Sequence, residues 1–277
     1  MLNNLKSYAK INLYLNIISK LNDGYHELDS IITRIDLYDE IEIIKESKFS
    51  ITFDGPYGSK VNKDNNINRL FNYLIDMNYL SKPSFAINIT KNIPIGSGLG
   101  GGSSNIAEII KYLIKINLLD KSKSCEIARS LGSDIEFFLE DYSAMISGRG
   151  EVIQRLKIMS NEDILIVFPN IQNSTKDIFC NHSKISGKKL IHEDIINLNK
   201  ILSSTSNDLE STALTMNTEM YHVKEFLTND KNCKFERMTG SGSAYFGVYE
   251  DNHEANEAIL RISKEHPNWW TYLTKII

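Results

Sequence analysis

Twelve residues, Pro94-Ile95-Gly96-Ser97-Gly98-Leu99-Gly100-Gly101-Gly102-Ser103-Ser104-Asn105, include five glycines and follow an apolar run with strand character, Phe85 to Thr90. Ser103 to Ile116 then places Ile106, Ile109, Ile110, Leu113 and Ile114 at the spacing of one helical face. A strand, a glycine run and a helix in that order restrict the chain severely. Such a junction leaves backbone N–H groups unpaired at the positive end of the helix dipole, and glycine lets that backbone come close to an anion. Scattered glycines would read as a flexible loop, with Ser103 or Ser104 capping the helix. Five at one strand-to-helix junction point instead to bound phosphate.

Two widespread phosphate loops fit this run poorly. Gly96, Gly98 and Gly101 satisfy the dinucleotide fingerprint, and Asp120 stands about 20 residues further on. In that unit, however, the first glycine follows its strand directly and further βα units come after it. Here Asn92 to Ile95 intervene and no such run follows, so a nicotinamide oxidoreductase is the weaker reading. The P-loop is excluded because no Lys-Ser or Lys-Thr follows the glycines.

Elsewhere strands and helices mix. Ile11, Leu13, Leu15 and Ile17 alternate within Lys6 to Ile18, which predicts a half-buried strand carrying Lys10 and Asn12 on its other face. Asn22-Asp23-Gly24 signals a turn, and Ser30 to Ile44 predicts two β-rich runs split at Tyr38-Asp39. Helices are expected at Ile67 to Tyr79, stopped by Pro83, and at Lys123 to Leu131. Strands are expected around Tyr142 to Ile146, Glu151 to Gln154 and Ile164 to Phe168, the last opening a second domain, which divides the chain into 1–160 and 161–277. Asn170 to His192 reads as a polar loop, and Ile195 to Leu202 and Thr218 to Leu227 read as helices. Phe235 to Met238 and Ala244 to Tyr249 flank a Gly-Ser turn, before a last helix and strand. Without regular βα alternation, the pattern favours an α+β fold.

Composition narrows the function classes. With 277 residues, 42% of them hydrophobic, the chain can bury a substantial core. The net charge of −4, with both signs interspersed, offers no basic face for nucleic acid. No stretch approaches the roughly 18 apolar residues of a membrane span, and Met1 to Tyr8 lacks the apolar centre of a secretion signal. A soluble cytoplasmic protein is expected. Cys125, Cys180 and Cys233 are odd in number and far apart, which fits neither a disulfide framework nor a zinc site.

Three ordered motifs are more specific than one. Ala9-Lys10-Ile11-Asn12-Leu13, the loop ending Gly-Leu-Gly-Gly-Gly-Ser-Ser-Asn, and Thr239-Gly240-Ser241-Gly242-Ser243 resemble the motifs of the GHMP kinases. That superfamily is named after galactokinase, homoserine kinase, mevalonate kinase and phosphomevalonate kinase. Within it, Asp23-Gly24-Tyr25-His26-Glu27-Leu28 and Leu131-Gly132-Ser133-Asp134-Ile135-Glu136-Phe137-Phe138 look most like the branch acting on 4-diphosphocytidyl-2-C-methyl-D-erythritol in non-mevalonate isoprenoid synthesis. The resemblance is densest before Glu151 and thins between Asn170 and Tyr221. It implies a two-domain GHMP kinase fold, with a left-handed βαβ unit in the N-terminal domain and a ferredoxin-like C-terminal domain. It also implies transfer of the ATP γ-phosphate to the substrate 2-hydroxyl, with magnesium as counter-ion and metal ligands unassigned. The partner is then a small molecule with a cytidine diphosphate group, and the protein a monomer or homodimer.

The resemblance also assigns residues. Asp134 matches the catalytic aspartate and Lys10 the catalytic lysine; on spacing alone the first is a turn or cap residue and the second a solvated strand lysine. Tyr25 and His26, otherwise residues flanking a hairpin turn, match the pair that recognises cytosine, and Phe179, otherwise core, aligns with a second stacking aromatic. Asn12 is implied as a substrate ligand, and Asn65 as a residue near the adenine or a polar helix start. Pro94 to Ser104 is the ATP loop, and Gly240, Ser241 and Gly242 line the active cleft, where a plain hairpin turn is the alternative. Two residues depart from the pattern: Glu136 and Lys176 stand where proline is usual. A sister kinase for homoserine, mevalonate or a sugar, and a catalytically silent nucleotide sensor, are the rival readings. Tyr25-His26 argues against the first, and the joint presence of Lys10 and Asp134 against the second.

Overall fold

The computed structural model describes residues 2–62, 64–81, 83–190 and 194–277. It divides into two compact units, Met1–Ala9 with Leu37–Ile95 and Gly100–Asp141, and Lys10–Asp36 with Gly96–Leu99 and Tyr142–Ile277. Neither unit is one contiguous stretch: the chain crosses between them five times, the last between Asp141 and Tyr142.

The first unit takes the outer halves of β1 (Leu2–Lys20) and β2 (His26–Lys45), followed by β3 (Ser50–Asp54), α1 (Asn66–Asp76), β4 (Phe85–Thr90), α2 (Gly101–Lys115), α3 (Ser124–Leu131) and α4 (Ile135–Phe138). Strand β4 is antiparallel to β2, with Ile41 opposite Ile89 and Ile43 opposite Ile87, and β3 joins its other side in parallel. A parallel pair needs a crossover, and α1 supplies it, so β3, α1 and β4 form a βαβ unit. Helix α1 buries Ile67, Leu70, Phe71 and Leu74, whereas Ile75, also expected on that face from the period, is 42% exposed. It ends well before Pro83, because Asn78 takes the left-handed conformation with φ +58°. The short strand β3 and the four-residue helix α4 were not anticipated.

The expected break at Tyr38-Asp39 does not occur: β2 runs unbroken through both residues. Asp39 is fully buried, yet its carboxylate is satisfied by the Lys91 ammonium, by Asn105 Nδ2 at 3.0 Å and by the backbone N–H groups of Asn92 and Ile93 at 2.7 and 2.9 Å. A polar residue in an apolar run signals a turn only when water must satisfy it.

The second unit adds β5 (Ser143–Gly148), β6 (Val152–Met159), β7 (Asp163–Phe168), α5 (Thr175–Asn181), β8 (Ile195–Asn197), α6 (Leu198–Ser204), α7 (Glu210–Met216), α8 (Glu219–Asn229), β9 (Phe235–Met238), β10 (Tyr245–Tyr249), α9 (Asn252–Glu265) and β11 (Trp270–Thr274). One sheet continues from β2 through β5 and β6 to β8. The other is wholly antiparallel in the order β11-β7-β10-β9, with helices connecting β7 to β9 and β10 to β11. That order and those connections are the ferredoxin-like arrangement. Leu165 and Val167 of β7 and Tyr245 and Tyr249 of β10 pack with Val223 and Leu227 of α8 and Ala255, Ala258 and Ile262 of α9.

Three expectations are corrected in this unit. Strand β1 is buried on both faces from Ala9 to Ile17, so Lys10, Asn12 and Asn16 are interior rather than solvated. The expected helix Ile195 to Leu202 begins as strand: Ile195 to Asn197 pair in parallel with Lys157 to Met159, and Asn197 then caps α6 by accepting from Lys200 N at 3.1 Å. The expected loop Asn170 to His192, whose last two residues lie outside the described ones, contains α5, capped by Ser174. No helix among the described residues is long and apolar enough to cross a membrane.

Arg237, on β9, is buried and donates to the carbonyls of Leu13 at 3.0 Å and Leu202 at 3.0 Å. Burial holds its guanidinium below the usual value. Arg237→Met leaves two buried carbonyls without this donor and is expected to lower stability by about 2–3 kcal/mol in urea denaturation.

Candidate active site

In the first unit, Gly100 precedes α2 in the left-handed conformation, φ +74°, and no side chain caps the helix. Neither Ser103 nor Ser104 is the cap. Ser104 instead accepts from Ser7 Oγ at 2.8 Å, and Asn105 donates to Ser7 Oγ at 2.8 Å and accepts from Lys91 Nζ at 2.9 Å. The opening N–H groups of α2 are therefore not taken by a side-chain cap, and they lie at the positive end of a helix of 15 residues. Lys91 and Asp39 escaped the sequence reading. The signal for them was there: a lysine directly follows β4, and an aspartate sits within the apolar run of β2.

In the second unit, the middle of the glycine run meets the other two motifs. Leu99 O accepts from Lys10 N at 2.9 Å, and Ser97 O accepts from Ala244 N at 3.0 Å. Lys10, only 3% exposed, donates from Nζ to Asn12 Oδ1 at 2.5 Å. Asn12 in turn donates from its backbone to Thr239 Oγ1 at 3.0 Å and from Nδ2 to Ser30 Oγ at 2.9 Å. A Cβ on Gly240 would stand 3.3 Å from Lys10 Nζ, so the turn Gly240 to Gly242 closes directly over the lysine. Asn207 fixes that turn by donating to the carbonyls of Met238 and Gly240, both at 2.8 Å. Ser241 is held from the other side by Thr175 at 2.9 Å and by Asn173, which donates to its carbonyl at 2.9 Å.

Two of the predicted cytosine residues, His26 and Phe179, meet in this unit. The His26 ring lies 5.6 Å from that of Phe179, tilted by 40°, and α5 is the element that delivers Phe179. Tyr25 is 63% exposed, with the Arg149 guanidinium 5.2 Å from its ring centre. His26 is buried, and desolvation, then Lys20, then His182 push its imidazole below the ordinary 6.5, so it is neutral near pH 7.

Asp134 and Asn65 belong to the first unit. Asp134 precedes α4 at the cap position, but its side chain does not cap the helix, so its half-buried carboxylate is not committed to that task. Asn65 caps α1, with Oδ1 accepting from Ile67 N and Asn68 N, both at 3.0 Å.

Residues 65–148 match the family described as GHMP kinases N terminal domain, and residues 188–268 match GHMP kinases C terminal. A 4-diphosphocytidyl-2-C-methyl-D-erythritol kinase from Pelagibacter ubique (strain HTCC1062) is 31% identical over 99% of this chain and 98% of its own. One of the same name from Fervidobacterium nodosum (strain ATCC 35602 / DSM 5306 / Rt17-B1) is 35% identical over 89% of this chain and 90% of its own. The chain belongs to the GHMP kinases, in the 4-diphosphocytidyl-2-C-methyl-D-erythritol kinase branch. A crystal structure of 4-(cytidine 5'-diphospho)-2C-methyl-D-erythritol kinase superposes with a TM-score of 0.79 at 26% identity, covering 98% of this chain and 99% of the other.

The two residues expected to depart from the family pattern sit in well-defined local surroundings. Glu136, in α4, forms a two-point ion pair with Arg129 of α3, at 2.6 and 2.7 Å. Lys176 falls in the first turn of α5, where the chain is already helical and exposed, so proline's fixed φ is not required.

Gly98 is where this kinase tolerates no side chain. Its φ is +84°, and a Cβ would lie 2.5 Å from the Thr239 carbonyl oxygen. Gly24 has a similar φ of +88° but open space around it. Gly98→Ala is expected to cost about 3 kcal/mol or more and Gly24→Ala about 1–2 kcal/mol, compared by urea denaturation. An NMR titration of His26 is expected to give a midpoint below 6.5. Because the unfolded chain then binds that proton first, the stability present above pH 6.5 is lost progressively as pH falls from this value through the lower midpoint of the folded state.

Proposed function

We propose that this chain transfers the γ-phosphate of ATP to the 2-hydroxyl of 4-diphosphocytidyl-2-C-methyl-D-erythritol, giving ADP and the 2-phosphate in non-mevalonate isoprenoid synthesis. The observation that carries this reading is the meeting of Lys10, Asn12, the Ser97 to Leu99 backbone and the Gly240 turn, in a chain whose near full-length relatives bear that kinase name. On this reading the substrate oxygen attacks the γ-phosphorus, the bond to the ADP oxygen breaks, and the hydroxyl proton passes to Asp134. Phosphoryl transfer has a loose transition state, so positioning and charge stabilisation supply most of the acceleration.

Lys10 offsets charge developing on the transferred group. Its burial and its bond to Asn12 hold the ammonium in one place, where a solvated lysine would sample many. Asn12 is assigned to the substrate, together with Tyr25, His26 and Phe179 at the cytosine. The run from Pro94 to Ser104 and Asn65 are assigned to ATP, and Gly240, Ser241 and Gly242 to the cleft lining. We keep 1–160 and 161–277 as the two family domains, a division that falls between the two matched segments. Cytoplasmic location and a monomeric or homodimeric state belong to the same proposal.

Magnesium would neutralise phosphate charge when bound with ATP. Among the described residues no three His, Cys, Asp or Glu side chains converge as a metal cage. An ion held mainly on the nucleotide's own oxygens fits that donor set, since magnesium at phosphate sites takes only one or two carboxylates.

The deciding experiment measures ADP release with Mg-ATP and four acceptors: the cytidyl substrate, homoserine, mevalonate and galactose. Turnover of the cytidyl compound alone is expected. Turnover of another acceptor replaces the substrate, and ATP binding with no turnover replaces the kinase by a silent sensor. Asp134→Asn is expected to lower kcat by about 10²–10⁴ while ATP binding, followed by calorimetry, survives.

A further inference from the structure

Asp39 does more than offset a buried lysine. It is fully buried and accepts four hydrogen bonds, from Lys91 Nζ, Asn92 N, Ile93 N and Asn105 Nδ2. Asn92 and Ile93 are the last residues before the glycine run begins at Pro94, and Asn105 follows its end, within the first turns of α2. Lys91 strengthens the same link by donating to Asn105 Oδ1 at 2.9 Å, and Asn105 and Ser104 are tied to Ser7. One carboxylate therefore joins the two stems of the run from both sides.

We propose that Asp39 is a positioning residue for the phosphate loop, fixing the separation of its stems so that the backbone N–H groups are in place before nucleotide arrives. This rests on the ATP reading above and deepens it. A loop rich in glycine has unusual freedom, and ordering it during binding weakens affinity. Joining its ends with charge-assisted bonds inside the protein moves that ordering into folding. The carboxylate acts through the loop backbone, so its loss affects the ATP step and leaves acceptor recognition alone.

Asp39→Asn tests this. It keeps the side-chain size and an acceptor for Asn92 and Ile93, but turns an amide donor toward Lys91 and Asn105. Should the uncompensated Lys91 prevent folding, Asp39→Ala/Lys91→Met removes both charges and keeps the test available. Two measurements on the full chain decide it. Without nucleotide, amide hydrogen exchange over residues 94–105 is expected to accelerate about tenfold, with β7 and β10 unchanged. With substrates, KM for ATP is expected to rise about tenfold, while kcat and KM for the cytidyl acceptor stay within about twofold. Unchanged exchange over 94–105, acceleration spread evenly across α1, α3 and β4, or an equal rise of both KM values overturns the proposal. If the wild type turns over no ATP, the kinase reading falls, and the exchange comparison alone then upholds or rejects the clamp.

Discussion

A missing side chain at residue 98 is the constraint on which the second unit depends. The backbone of Gly98 approaches the Thr239 carbonyl so closely that a Cβ would sit 2.5 Å from it. That approach lets Leu99 O accept from Lys10 N and Ser97 O accept from Ala244 N, joining three segments far apart in sequence. Backbone bonds of this kind depend little on which side chains flank them, so they give a fixed frame on which Lys10 and Asn12 stand. Placement of those two groups follows from the frame and not from their own rotamers alone.

Buried polar groups follow the same logic. Asn12 bonds to Lys10, Thr239 and Ser30, and Asn207 reaches two carbonyls of the third motif. Asp39 and Lys91 form a buried ion pair whose remaining valences are filled by Asn105 and by backbone N–H groups. A buried pair of this sort is a weak source of stability, since desolvation offsets most of the attraction, but it tolerates little rearrangement. What it contributes is a defined geometry, which suits a loop of glycines that has little preference of its own.

The elements legible from sequence were helices whose period is set by one packing face and short strands bounded by turn signals, including two buried at every position. Helices α1, α2 and α3 and strands β4, β7, β9 and β10 were legible in this way, and so were the loop and the three motifs. The misses have physical causes. Strand β1 alternates in hydrophobicity, yet both faces are interior, because its polar face is satisfied by side chains from distant segments, a feature periodicity cannot report. Asp39 looked like a turn for the same reason. Strand β8 looked helical because three residues are too few to carry a period, and its pairing with Lys157 to Met159 decided its state. Helix α5 is seven residues long with a single fully buried position, Ile178, so it carries almost no stripe, although it delivers Phe179. The proposed site residues were named from motifs, whereas Lys91 and Arg149, which bear on them only through neighbours, were invisible until those neighbours were known.

The electrostatics explain how an acidic chain can serve a polyanion. The net charge of −4 opposes phosphate at long range, so attraction has to be local. Lys91 brings no net charge to the loop, because Asp39 cancels it at contact. On the kinase reading, the second unit offers the ammonium of Lys10, and the first offers oriented N–H groups at the start of α2, whose partial charges act over a few ångströms and are little screened. The acceptor end proposed for Tyr25, His26 and Phe179 would work differently. With His26 held neutral and Tyr25 and Phe179 apolar in face, it would offer stacking surface and a single hydrogen-bonding ring in place of charge. A neutral imidazole that must find a complementary edge discriminates between bases more sharply than a charged one, which would attract any electron-rich ring.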